Sequence, residues 1–196
     1  MSLCKQAKML SKKEFAQVLD LVKTHRYPLR DKVMCLLSFK AGLRAVEISN
    51  LRWTMVTDAS GNIGDYINIT NQSSKGNNGG RQIPLNLELK QALIELYTSN
   101  PPFHLDNYII KSHRAAKLLP CNVSHWFKNV YKTLRLDGCS SHSGRRTFIT
   151  MGARKITDLG GSLKDISVLA GHASLATTQK YIVPNEEAKQ KFVQLI

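Results

Sequence analysis

Phe15, Val18, Leu19 and Val22 recur at intervals of three and four, which predicts an amphipathic helix from about residue 12 to about residue 24. Ser11 followed by Glu14 is the reciprocal capping pair that starts such a helix. A second helix begins after Pro28, carries Val33, Leu36, Leu37 and Phe39, and stops near Gly42, where a residue without Cβ suits a helix C-terminus. Arg44 opens a short helical stretch that reaches Leu51. The period then changes. Tyr66, Ile67 and Ile69 within Ile63 to Thr70 favour a strand, and "RQIPL" from Arg81 offers a second. The intervening "NQSSKGNNGG" is turn chemistry, so the pair is predicted to form a β-hairpin with a long mobile tip. Helical patterns return at Leu87 to Tyr97, Val123 to Leu134, Arg146 to Lys155, Leu163 to Leu169 and Leu175 to Tyr181, with Pro101-Pro102 and Gly160-Gly161 in loops. The expected fold class is α+β: mainly α with one small antiparallel β-hairpin.

Composition adds a partner class. The 196 residues, 42% hydrophobic and 21% charged, fit one globular domain or a domain with a small appendage. Lys and Arg number 28 against 14 Asp and Glu, a net charge of +14 that favours a polyanion, with nucleic acid ahead of a membrane surface. The longest apolar run, Val33 to Phe39, is interrupted by Ser38 and too short to span a bilayer, and "MSLCKQAKML" lacks the apolar run of a signal peptide. Cys4, Cys35, Cys121 and Cys139 are scattered without metal-ligand spacing and read as reduced thiols.

The acidic residues are also dispersed, with only Glu186 and Glu187 adjacent, so no carboxylate cluster offers the ligands of a two-metal nuclease. No phosphate-binding loop of the Gly-x-x-x-x-Gly-Lys type is present. Neither a metal nor a cofactor is expected. A chain of this kind that acts on a phosphodiester must neutralise it with its own cations, and two arginines making paired charge-assisted hydrogen bonds form a metal-free clamp.

"SSHSGRRTFIT" supplies one half of such a clamp: His142 and Arg145 precede a predicted helix, where side chains and free backbone N–H groups can face an anion. The competing reading makes His142 a cap and Arg145 and Arg146 solvated cations. Arg44 in "AGLRAVEISNLRW" is the second candidate; Glu47, three residues on, can pair with it and hold it, though a surface arginine on an amphipathic helix has the same pattern. Lys75 on the hairpin tip is either an exposed lysine or a mobile acid for a leaving oxygen. In "LAGHASLATTQKYIVP", His172 follows a Gly turn and Tyr181 closes a short helix, with Ser174, Thr177 and Thr178 able to cap or touch phosphate. A phenol can attack phosphorus when nearby cations favour the phenolate, but a half-buried aromatic and a loop histidine would look alike.

Taken in order, "AGLRAVEISNLRW", "SSKGNNGGRQIPL", "SHSGRRTFIT" and "LAGHASLATTQKYI" resemble the catalytic domain of the tyrosine recombinase (phage integrase) family from Arg44 through Tyr181. By this resemblance Arg44 and Arg145 are the two clamp arginines, Lys75 the hairpin lysine, His142 and His172 the two histidines, and Tyr181 the nucleophile; Glu47 and Arg146 support them. Ser143 and Gly144 depart from the pattern, standing where the family commonly has an acidic residue and a leucine. Family members usually carry an N-terminal helical domain, and here few residues precede the first helix, so the expected division is a catalytic domain over 1–182 and a tail over 183–196.

The resemblance implies site-specific recombination of double-stranded DNA without metal or ATP. Tyr181 forms a 3′-phosphotyrosyl link, Lys75 protonates the 5′-oxygen, and His142 manages the phenol proton. It also implies a monomer or weak associate in solution that forms a homo-tetramer on paired sites, with the tail docking on a neighbouring subunit, in the cytoplasm of a bacterial or phage-infected cell. Arg81, Arg114, Lys117, Lys128 and Lys132 are candidate phosphate contacts, each equally readable as a solvated cation. Two other functions keep the same composition: relaxation of supercoils in the manner of a type IB topoisomerase, and non-catalytic DNA binding.

Overall fold

The computed structural model describes residues 6–71, 80–182 and 186–194. Helix α1 (Lys12–Lys23) begins with the expected capping box, in which the Ser11 side chain accepts from the Glu14 N–H and the Glu14 side chain accepts from the Ser11 N–H. Its Val18 and Val22 face inward onto α2 (Pro28–Lys40). Proline at the first turn starts α2, whose residues from Val33 to Phe39 are all buried. Such a helix is apolar on every side because it is covered on every side: α1, α4 (Leu87–Ser99) and α6 (Ser143–Lys155) all pack on it. Gly42, at φ +63°, turns the chain out of this central helix and into α3 (Ala45–Asn50).

The hairpin is present and antiparallel. Strand β1 (Tyr66–Ile69) pairs with β2 (Arg81–Pro84) in the register Tyr66 to Pro84, Ile67 to Ile83, Asn68 to Gln82 and Ile69 to Arg81. Alternation puts Ile67, Ile69 and Ile83 in the core. The first strand is shorter than the span from Ile63 to Thr70, because Ile63 makes an isolated bridge to Thr57 and the Gly64 N–H donates to the Val56 carbonyl. The tip, including Lys75, lies outside the described residues.

Helix α5 (Pro120–Thr133) starts three residues before the apolar pattern does, again at a proline. Helix α6 (Ser143–Lys155) likewise starts at Ser143 and not at Arg146, so Arg145 lies inside the first turn. Ser143 closes that turn by accepting the Ser140 N–H on its hydroxyl, at 2.9 Å. Gly144 explains the departure from the family pattern. A Cβ there would collide with Ser38 and lie 2.9 Å from the Phe39 ring, so α2 and α6 touch through a glycine. Helix α7 (Leu163–Ala170) ends at Gly171, φ +61°, and α8 (Leu175–Gln179) follows. Tyr181 stands two residues past the end of α8 and not within it. Helix α9 (Glu186–Val193) closes the described chain.

The main core joins α1 to α5 with the hairpin. A smaller one, built from Ile149, Ile166 and Ala170, carries Tyr181 on its edge. Among the described residues no helix is long and apolar enough to cross a membrane.

Candidate active site

Four chain turns converge: the turn after α2, the start of α3, the start of α6 and the turn after α7. Arg145 is 2% exposed, yet its guanidinium is anchored by main chain, with Nη1 donating to the Gly42 carbonyl and Nη2 to the Ala170 carbonyl, each at 2.6 Å. Arg44 reaches the same place from α3. Its Nη1 lies 3.5 Å from the Ala170 carbonyl and its Nη2 3.3 Å from that of Gly171, and its side chain keeps 23% exposure. The Ala170 carbonyl thus accepts from both arginines, and the end of α7, with its negative dipole end, seats the pair.

Glu47 is fully buried and holds Arg44 as the i,i+3 spacing predicts, at 3.1 Å from Nη1, while also accepting the Arg44 backbone N–H at 2.8 Å. A second arginine sits on the same carboxylate. Arg81, a candidate surface contact to phosphate, is 3% exposed in its side chain; its Nη1 and Nη2 meet the two Glu47 oxygens at 2.9 and 3.2 Å, and Nε donates to the Leu169 carbonyl at 2.8 Å. Arg81 therefore lies buried beneath the arginine pair, where it gives the buried Glu47 carboxylate a second cation.

Electrostatics follow from this packing. Burial pushes the Glu47 carboxyl up, but the hydrogen bonds and charge of Arg81, with those of Arg44, outweigh it and hold Glu47 below the usual carboxylate range. Burial, then the charge of Arg44, lowers the Arg145 pKa to about 10, which leaves it a cation at neutral pH. His172 is lowered to about 4 by burial first, then by Arg145, Arg44 and Arg81, and is neutral at pH 7.

His172 follows Gly171 directly, and its Nδ1 lies 2.8 Å from the hydroxyl of buried Thr178. Its ring stacks on Tyr181 at 5.6 Å between centroids and 23° between planes. Thr150 of α6 fixes the Tyr181 backbone by donating to its carbonyl at 3.2 Å. Tyr181 also lines a cleft of about 520 Å³ together with His142, Arg146, Ser140, Thr177 and Lys180. His142 is exposed there and makes no side-chain cap to α6. Arg146 is half-buried, and its Nε is buried without a hydrogen-bond partner among the described residues.

The structure so gathers Arg44, Glu47, Arg145, His172 and Tyr181, with His142 and Arg146 at the adjoining cleft. It adds Thr150, which no spacing rule marks, and it places Thr178, one of the hydroxyls read as able to cap or touch phosphate, buried against His172. Lys117 is tied to Asn50 at 2.9 Å and lies over the Tyr108 ring, while Arg114, Lys128 and Lys132 are exposed outside the arginine cluster. A separate cavity of about 400 Å³ beside Tyr27 and Trp53 lies at the opposite end of α2 and contains none of these groups.

The sequence model of the phage integrase family matches residues 8–188. The chain is 30% identical over 155 residues to the tyrosine recombinase XerC of Rickettsia prowazekii (strain Madrid E), covering 78% of this chain and 47% of that protein. It is equally similar to XerC of Rhizobium meliloti (strain 1021), 30% over 155 residues, covering 78% and 45%. It spans about half the length of these curated relatives. Among solved structures, XerA recombinase superposes with a TM-score of 0.70 at 23% identity over 95% of this chain and 64% of that one. XerH site-specific recombinase bound to difH substrate superposes with 0.72 at 18% over 98% and 55%, which is a likeness of fold.

Proposed function

Because the chain belongs to the phage integrase family, we propose that it is the catalytic part of a site-specific DNA recombinase that cuts and rejoins strands through a phosphotyrosine on Tyr181. The observation that carries this reading is the Ala170 carbonyl, shared by Arg44 and Arg145, with the stacked His172 and Tyr181 immediately downstream. Two cations aimed at one point, anchored before any substrate arrives, suit a phosphate whose charge grows in the transition state.

In the proposed reaction the Tyr181 oxygen bonds to phosphorus and the bond from phosphorus to the 5′-oxygen breaks. Arg44 and Arg145 hold the non-bridging oxygens. With Nδ1 of His172 accepting from Thr178, Nε2 carries the ring hydrogen and donates to one of them. The phenol proton leaves on the side of the cleft where His142 lies, and Lys75 supplies a proton to the departing 5′-oxygen. The phosphotyrosine conserves the bond energy, so a 5′-hydroxyl from another strand reverses the step without ATP or metal.

The partner is double-stranded DNA at paired recombination sites, on which four copies assemble from monomers. The described residues of α9 are exposed, Phe192 and Val193 at 63% and 62%, which suits a helix that docks on a neighbouring copy. An apolar groove of about 620 Å³ fits it, lined by Leu10, Phe15, Phe39, Phe148 and Met151 and edged by Lys12 and Lys155, opposite in charge to the Glu186 that begins α9.

The test is a suicide DNA substrate whose nicked end cannot religate. Wild-type protein should form a covalent adduct on a gel, and Tyr181→Phe should form none; the absence of any adduct on the cognate site sinks the enzymatic reading.

A further inference from the structure

We propose that Arg81 is a positioning residue for the strand-cleavage step, bridging the hairpin to the phosphate clamp and setting where Arg44 points. This rests on the reading of Tyr181 as nucleophile. Arg81 opens β2, opposite Ile69 in β1, and all three of its guanidinium nitrogens are used. Two meet the two oxygens of Glu47 in a fork that fixes the plane of the carboxylate. The third meets the Leu169 carbonyl at the end of α7.

Glu47 Oε1 receives Nη1 of Arg81 at 2.9 Å and Nη1 of Arg44 at 3.1 Å, so both arginines lean on one oxygen. The carboxylate is fully buried and cannot turn to water. Without Arg81 it would swing toward its remaining cation and draw Arg44, which is 23% exposed, away from the opening. Arg44 would then be spent on Glu47 instead of on phosphate.

Arg81 also lies against the turn that presents His172. A Cβ at Gly171 would fall 2.6 Å from Arg81 Nη1, so glycine there is required twice, by its φ of +61° and by the guanidinium packed against it. One side chain thereby joins β2, α3 and the turn after α7, the sources of Arg44 and His172. In the sequence Arg81 follows Lys75 by a few residues, so the strand it pins is the one that returns from the proposed acid.

Lysine retains the charge but not the fork, and methionine retains neither, which separates geometry from charge. Adduct formation on saturating suicide DNA, DNA affinity, urea unfolding and the NMR titration of His172 are measured for wild type, Arg81→Lys and Arg81→Met. Both variants should fold and bind DNA within about threefold of wild type, while the adduct rate falls about 10²-fold, the scale of a small misplacement of reacting groups. Arg81→Met should raise the His172 titration and Arg81→Lys should leave it low.

A wild-type rate in Arg81→Lys would overturn the bridging role, leaving only a charge. Weakened affinity with an unchanged rate at saturation would make Arg81 a phosphate contact, and failure of both variants to fold would make it a residue of the fold alone; either result overturns the proposal. If wild type itself forms no adduct, the recombinase reading fails and this one with it.

Discussion

The hydroxyl of Thr178 lies 2.8 Å from Nδ1 of His172, and both are held where the main chain turns twice around the arginine pair. Thr178 is fully buried and has no route to the substrate, so its effect on chemistry runs through the imidazole. It fixes the orientation of the ring that stacks on Tyr181. Thr178→Val keeps the volume and removes this partner. Adduct formation on suicide DNA should slow by about 10- to 100-fold, the cost of losing an outer-shell orienting bond, while urea unfolding registers a loss of about 1 kcal/mol.

The low pKa of His172 makes a pH prediction with a definite sign. Its folded value, about 4, lies below its ordinary 6.5, so between these values the unfolded chain binds the extra proton. Stability should therefore fall as pH drops from about 6.5 toward 4, and His172→Gln should flatten that part of the unfolding profile. NMR should find the His172 ring titrating near 4 in the free protein. DNA should raise that value, since a phosphate offsets the surrounding arginines; an unchanged titration would place the phosphate elsewhere.

Gly144 and Ser38 form a contact that admits no side chain. Gly144→Ala should destabilise the fold by about 1–3 kcal/mol through overpacking between α2 and α6. Among the described residues the buried Ser38 hydroxyl has no partner, so Ser38→Ala should be neutral or mildly stabilising and should recover part of the Gly144→Ala loss. A double-mutant cycle in urea reads the coupling, and strict additivity would argue against direct contact.

Arg146 lies half-buried on the wall of the cleft beside Tyr181. A DNA phosphate is the acceptor it suits. Arg146→Ala should weaken DNA binding and lower the salt slope by about one ion, the signature of one lost phosphate contact. An unaltered slope would confine Arg146 to packing.

The exposed Phe192 and Val193 make the tail separable from the cleavage centre. Phe192→Ala with Val193→Ser should leave sedimentation of the free protein unchanged and reduce the proposed tetramer on paired DNA sites. Loss of folding stability in this variant would show that α9 packs on its own domain after all.

Much of the site was legible because its chemistry resides in short local motifs. Arg44 with Glu47, His142 with Arg145, and His172 with Tyr181 are each close in sequence; spacing left every pair with a bland reading, and the resemblance of the four motifs in order joined them. The helix starts at Pro120 and Ser143 were less legible, since the residues that open a helix are polar or cyclic and add nothing to an apolar period. The buried position of Arg81 was less legible for a different reason. Its partner Glu47 is 34 residues away, and nothing in a basic strand says that its cation turns inward. Gly144 looked like a defect in a known pattern until the neighbour that occupies the missing volume, Ser38, was in view.

Arg145 is held by the carbonyls of Gly42 and Ala170, and Arg44 leans on those of Ala170 and Gly171. Every residue type carries that oxygen, so no point mutation at these three positions can delete an anchor chemically. The clamp is robust to drift in side-chain identity and fragile to any change in the path of the main chain. Heritable variation should therefore break it by insertion, deletion or replacement of a turn glycine more readily than by any other substitution.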